Sequence, residues 1–225
     1  MFIIYNLIFA VFVLFYLPVY IFKNKFHPGF WMRLGFLPKA LREKITGERP
    51  IWLHAVSVGE VAASKKLIEQ LQVEFPDKKI VISTVTPTGN KVAASISSNQ
   101  VSLIYLPLDF SFIVKRVVNI INPSILIIAE TEIWPNLIRS LSKRKVPVVT
   151  VNGRISDSSF KGYLAIKLLV RPILRKISLF CVQTLCDSER LECLGVSADK
   201  VRVTGNMKFD GYFLPSSAKE PQDLK

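Results

Sequence analysis

Short, almost wholly apolar runs alternate with longer stretches whose apolar positions recur every three or four residues, starting at residue 51 and continuing to residue 205. The short runs are IWLHAV (51–56), KIVIST (79–84), VSLIYL (101–106), SILIIA (124–129), VPVVTV (146–151), SLFCVQ (178–183) and KVRVTG (200–205). They are mostly apolar rather than alternating, which is how strands covered on both faces read. The longer stretches predict helices over 59–75 (apolar at Val61, Ile68, Leu71 and Phe75), 86–96, 110–121, 134–145, 158–176 and 188–195. Right-handed crossovers turn such a series into a doubly wound, Rossmann-like α/β parallel sheet. No internal repeat is visible.

The first 22 residues, MFIIYNLIFAVFVLFYLPVYIF, follow neither rhythm and carry no charge. A helix of that length, at about 1.5 Å per residue, crosses a hydrocarbon core of roughly 30 Å. A cleaved signal peptide would want a positive start, a shorter apolar core and a small-residue cleavage site, so the segment reads as a retained membrane anchor. Lys23, Lys25, Arg33, Lys39 and Arg42 follow it in a basic juxtamembrane segment over 23–50, so the remaining chain is expected on the cytoplasmic side of the membrane. Pro18 kinks such a helix, and shallow interfacial insertion is the alternative to spanning.

In a doubly wound sheet the site lies outside the carboxyl ends of the strands. The segments there are SVGE, TVTPTG, PLDF, ETEIWPN, NGRISDSS and GNMKFD. Glu60 follows Gly59 at a helix start, where an anion complements the dipole. The same carboxylate, beside a glycine that permits close backbone approach, is placed to take a proton from a hydroxyl. TVTPTG, with Thr84, Thr86, Thr88 and Gly89, reads as an anion cradle or as a capped helix with Pro87 in its first turn. Glu130 and Glu132 leave a very apolar strand and so need a cleft or partners; for Glu132 the alternative is a capped helix start running to Pro135. Arg154 with Ser156 and Ser158 is either a phosphate or carboxylate clamp or a surface loop.

The net charge of +13 calls for an anionic partner: nucleic acid, a membrane surface or a phosphorylated substrate. Lys161, Lys167, Arg171, Arg175 and Lys176 interleave with Leu164, Leu168, Leu169 and Leu174, giving either a basic amphipathic helix at a membrane or a core helix with a solvated face, interrupted at Pro172. Cys181, Cys186 and Cys193 lack CxxC spacing and the chain has two histidines, so free thiols are expected rather than a zinc site. Over 211–225 the periodicity gives way to Pro, Ser, Lys and Glu, as in a linker.

HAVSVGE, STVTPTG, YLPLDF, ETEIWPN, NGRIS and GNMKFD, in that order behind an apolar amino terminus, resemble the amino-terminal half of the Kdo transferases, which add 3-deoxy-D-manno-octulosonic acid (Kdo) to the lipid A precursor in lipopolysaccharide synthesis. The resemblance implies a GT-B architecture, with an acceptor-binding domain over 51–210 and a second domain that holds the donor, CMP-Kdo. It implies Glu60 as general base, Glu130 and Lys208 as transition-state support, and acceptor contacts at Ser57, Gly59, Thr86, Thr88, Arg154 and Ser156. The implied reaction is inverting, with no metal or cofactor. The partners are the lipid A precursor, CMP-Kdo and the inner membrane. With 211–225 read as the start of an interdomain linker, the chain is expected to be a truncated or split product, inactive alone, and in the split case a separately encoded carboxyl-terminal half is a further partner.

Three other classes compete. A membrane-anchored glycolipid-binding module shares every feature except the base. A nucleotide-binding oxidoreductase would want GxGxxG after the first strand, which is missing. Nucleic acid has only net charge in its favour and is not expected as a partner.

Overall fold

The computed structural model describes residues 2–22 and 29–209. Helix α1 spans Phe2–Phe22, followed by two short helices, α2 (Phe30–Arg33) and α3 (Lys39–Ile45). The α/β series then runs β1 (Ile51–His54), α4 (Val58–Glu74), β2 (Ile80–Thr84), α5 (Pro87–Ala94), β3 (Val101–Tyr105), α6 (Ser111–Ile121), β4 (Ile125–Ala129) and α7 (Pro135–Lys143). It continues with β5 (Val148–Gly153), α8 (Asp157–Ala165), α9 (Lys167–Leu174), β6 (Leu179–Val182), α10 (Leu185–Cys193) and β7 (Val201–Val203). Two 3₁₀ turns complete the described elements, Ala198–Lys200 before β7 and Met207–Phe209 after it.

All seven strands are parallel in the order β3-β2-β1-β4-β5-β6-β7, the doubly wound arrangement expected from the apolar runs. The order reverses between β1 and β4, so the loops after these two strands flank the crevice at the switch point. The pleat divides the core. Trp52, Val81, Leu126 and Val148 face a layer built from α3, α6, α7, α9 and α10. Ile51, Leu53, Ile80 and Ile82 face α4 and α5. Both faces of the central strands are therefore buried, which explains why their sequences do not alternate.

Several boundaries differ from the sequence expectation, each for a local reason. The first strand ends at His54 rather than residue 56, because the Val56 N–H turns to the Glu60 carboxylate instead of the ladder. The fifth starts after Pro147, which has no N–H to donate. The helix expected from residue 188 begins at Leu185, where Thr184 and Asp187 form a capping box. The single helix expected over 158–176 is two helices, and the break falls at Ile166 (φ −114, ψ 27), not at Pro172. Pro172 sits within α9, and Leu168, whose carbonyl it leaves without an intrahelical donor, is exposed.

The amino-terminal segment is helical over Phe2–Phe22 as its composition predicts. Side chains of this helix are described for residues 5–15, and among the described residues no helix is long and apolar enough to cross a membrane. Lys23 and Lys25 of the basic juxtamembrane segment, and the linker expected over 211–225, lie outside the described residues. The three cysteines are free thiols.

Candidate active site at the carboxyl edge of the sheet

Glu60 lies in the first turn of α4 and is 7% exposed. Its Oε2 accepts the Val56 N–H at 2.7 Å and its Oε1 accepts the Ser57 hydroxyl at 2.8 Å, while the Glu60 N–H donates to Ser57 Oγ at 3.3 Å. Ser57 is thus the N-cap of α4, and the carboxylate satisfies the backbone where the strand turns into the helix. Each carboxylate oxygen carries two lone-pair sites and receives one donor, so the group keeps accepting capacity for a further hydroxyl. Gly59 adds space: a Cβ there would meet only Ser57 Oγ, at 3.9 Å.

The next loop packs directly on this one. Thr86 caps α5, accepting the Gly89 N–H at 3.0 Å and donating its own hydroxyl to the Val56 carbonyl at 3.2 Å. Gly89 is required by proximity, since a Cβ would lie 2.8 Å from Thr86 Oγ1 and 3.1 Å from the Val56 oxygen. Thr88 is exposed, its hydroxyl 3.4 Å from that of Thr86. The capped-helix reading of TVTPTG holds, with the turn clamped to the SVGE segment.

Across the switch point, Glu130 follows β4 in the left-handed region, at φ +62. Such a conformation is strained for a residue with a side chain and is characteristic of functional loops. Burial and then the charge of Glu60 push its carboxyl up, while Lys208 and Arg154 pull it down. The four groups therefore share one electrostatic field, although they come from four separate loops. Glu132 belongs to the same cluster: burial, followed by the charges of Glu60 and Glu130, pushes its carboxyl up to about 7.

Arg154 is held by its backbone N–H, which donates to Thr131 Oγ1 at 2.9 Å and ties the NGRIS loop to ETEIWPN. Ser156 is the N-cap of α8, accepting the Ser159 N–H at 3.2 Å, and stays exposed. It is not among the charges acting on Glu130 or Glu132.

Three residues not singled out from the sequence organise this edge. Asn152, buried and at φ +55, accepts the Met207 N–H on its side-chain oxygen at 3.1 Å, fastening the turn that carries Lys208 to the end of β5. Asp109 accepts the N–H groups of Asn136 and Leu137, both at 2.9 Å, and so caps α7 from another loop; burial pushes its carboxyl up to about 7. His54, fully buried, has Nδ1 3.0 Å from the Ser83 carbonyl, which can only accept, so Nδ1 carries the proton. Its ring meets Trp134 of ETEIWPN edge to face, at 5.9 Å between centroids. The motifs contained all three residues, and the positive φ at Asn152, near the end of β5, was signalled only by the Asn-Gly pair in NGR.

A Rossmann-like, GT-B-like domain with clustered carboxylates at its switch point is the class these observations define. Residues 29–211 match the family described as 3-deoxy-D-manno-octulosonic-acid transferase (kdotransferase), and the chain belongs to that glycosyltransferase family. It is similar to the 3-deoxy-D-manno-octulosonic acid transferase of Haemophilus influenzae, 39% identical over 160 residues, which cover 71% of this chain and 38% of the relative. It is similar also to that of Chlamydophila psittaci, 32% identical over 194 residues, covering 85% and 45%. The chain thus spans less than half the length of these curated relatives. Among solved structures, the UDP-GlcNAc 2-epimerase of Neisseria meningitidis bound to UDP-GlcNAc superposes with a TM-score of 0.51 at 13% identity, over 70% of this chain and 46% of that one. At that identity the likeness concerns the fold.

Proposed function

We propose that this chain is the acceptor-side half of a transferase that moves Kdo from CMP-Kdo to the lipid A precursor in lipopolysaccharide biosynthesis. The observation that carries the proposal is the meeting of Glu60 and Glu130 at the switch point, with Lys208 and Arg154 in the same field. Glu60 takes the proton of the acceptor hydroxyl. The freed oxygen attacks the anomeric carbon of Kdo from the face opposite the phosphate, and the carbon–oxygen bond to the phosphate of CMP breaks with its electron pair going to the phosphate. Lys208 offsets the charge that develops there, and Glu130 supports the cationic sugar centre. The reaction inverts configuration and uses no metal in this scheme. Ser57, Gly59, Thr86, Thr88, Arg154 and Ser156 line the acceptor side. The amino-terminal helix and the basic surface hold the domain at the cytoplasmic face of the inner membrane, and a carboxyl-terminal half, in the same polypeptide or supplied separately, brings the donor.

The test is reconstitution: the purified chain is mixed with CMP-Kdo, the lipid A precursor and the carboxyl-terminal half of the Haemophilus influenzae relative. Transfer that needs both halves and disappears with Glu60→Gln supports the scheme. Transfer by the chain alone would overturn the division of labour. The engagement of both Glu60 oxygens in local hydrogen bonds, to the Val56 N–H and the Ser57 hydroxyl, favours a second reading, a non-catalytic glycolipid-binding module. Acceptor binding equal in wild type and Glu60→Gln, with no transfer in either, would establish that instead.

A further inference from the structure

The amino-terminal end of α6 carries two recesses that the proposed chemistry leaves unused, and α1 crosses between them. One stripe of α1, formed by Tyr5, Asn6, Phe9 and Val13, faces the domain. The Tyr5 hydroxyl donates to Asp109 Oδ2 at 2.9 Å, and the Asn6 amide donates to Ser111 Oγ at 2.7 Å and accepts from Asn136 Nδ2 at 2.8 Å. Phe9 meets Phe110 edge to face, at 4.9 Å between centroids. The opposite stripe, Leu7, Ile8, Val11, Phe12, Leu14 and Phe15, is exposed, from 54% at Val11 to 76% at Phe15.

On the α7 side of α6 lies a recess of about 260 Å³ lined by Lys115, Arg139, Lys143 and Arg144, with hydroxyls from Ser111 and Ser140, and among the described residues no carboxylate lines it. On the other side lies an apolar recess of about 460 Å³, with Val13 of α1 in its wall beside Phe36, Phe110 and Phe112. Lys115, Lys143 and Arg144, whose guanidinium donates to Asn119 Oδ1, bring like charges together there, and a phosphate relieves their repulsion while matching the fork of a guanidinium. Apolar surface on both sides of α1 separates this site from one built for a soluble anion or a nucleic acid.

We propose that the α6–α7 recess binds the phosphate headgroup of an anionic phospholipid, whose acyl chains lie along the exposed face of α1 in the same leaflet. The docked stripe sets the helix against the domain, so the headgroup site sits beside the helix at the membrane surface. The proposal rests on the membrane-surface part of the function proposed above and not on its chemistry. A chain that binds lipid without transferring sugar would leave it standing.

The experiment is flotation of the full chain with vesicles of phosphatidylcholine alone or of phosphatidylcholine with phosphatidylglycerol, at several salt concentrations. The preference for the anionic vesicles should fall at least about tenfold in Lys115→Gln/Arg139→Gln/Lys143→Gln. It should fall less than about threefold in Lys161→Gln/Arg171→Gln/Lys176→Gln, which removes equal charge from the α8–α9 surface. Lys115 and Lys143 are exposed, so the double Lys115→Gln/Lys143→Gln keeps the fold and should show an intermediate loss. Equal losses in the two triple variants would reduce the effect to bulk charge and overturn the proposal. So would an unchanged preference in the first triple variant, or abolition of the preference by inorganic phosphate at constant ionic strength.

Discussion

Met207 donates its backbone N–H to the side chain of Asn152, 55 residues upstream, at 3.1 Å. This single bond joins the turn bearing Lys208 to the end of β5, and Asn152 holds a left-handed conformation to make it. In the proposed scheme Lys208 acts only where it shares the field of Glu130. Asn152→Ala should therefore lower transfer by roughly tenfold or more, a loss of about 1–2 kcal/mol of transition-state positioning, while thermal unfolding moves by only a few degrees. Steady-state transfer in the reconstituted enzyme, paired with thermal unfolding of the variant, checks this. A variant with wild-type turnover would detach Lys208 from the chemistry.

Glu60 combines two roles that different substitutions separate. Glutamine keeps an oxygen for the Val56 N–H and a donor that the Ser57 hydroxyl can accept, so Glu60→Gln should cost about 1 kcal/mol of stability or less. Alanine strands both donors in a site only 7% exposed, so Glu60→Ala should cost about 1–3 kcal/mol. Transfer should fall at least about a hundredfold in both, the usual scale for loss of a general base. Urea denaturation and turnover measured side by side check the pair; stability and activity losses that track each other across the two variants would make Glu60 a cap and nothing more.

Gly89 presses the second loop onto the first. In Gly89→Ala the new methyl meets Thr86 Oγ1 and the Val56 carbonyl, and both belong to the clamp that holds SVGE. Relief requires Val56 or Thr86 to move by several tenths of an ångström, costing about 1–3 kcal/mol. The expected outcome is a lowered Tm together with reduced transfer, because Val56 also donates to Glu60. Unchanged activity in a destabilised Gly89→Ala would show that the clamp does not set the position of Glu60.

The sheet was readable because burial on both faces removes polar residues from the strands, and the order of motifs then assigned a loop to six of the seven strand ends. Glu60, Glu130 and Lys208 could be named from those motifs, and the structure brings them into one field. What hydrophobic periodicity does not encode is side-chain reach between loops. Asp109 caps α7 across 27 positions of sequence, and Asn152 fastens a turn 55 residues away, so neither leaves a local spacing. The break at Ile166 was likewise unreadable. The apolar pattern runs through it, and the conspicuous signal, Pro172, lies where the residue that loses its donor, Leu168, is itself exposed.

His54 links stability to pH through a sign that can be worked out. Burial pushes its imidazole down to about 4 from an ordinary 6.5, outweighing the opposing bond to Ser83. Between these values the unfolded chain binds the proton and the folded chain does not, so stability rises with pH. The contribution is complete above pH 6.5 and is lost as pH falls toward 4; at about 1.36 kcal/mol per pH unit it amounts to about 3 kcal/mol. In His54→Asn the amide nitrogen occupies the place of Nδ1 and keeps the bond to the Ser83 carbonyl, but nothing titrates. The variant should be less stable than wild type at pH 7.5, by about 1–2 kcal/mol for the space left beside Trp134. Its loss of stability between pH 6.5 and 4 should be smaller than that of wild type by about 3 kcal/mol, so the two curves converge or cross in acid. Urea denaturation at half-unit pH intervals measures both slopes, and parallel slopes would mean that His54 is not the neutral, buried group described here.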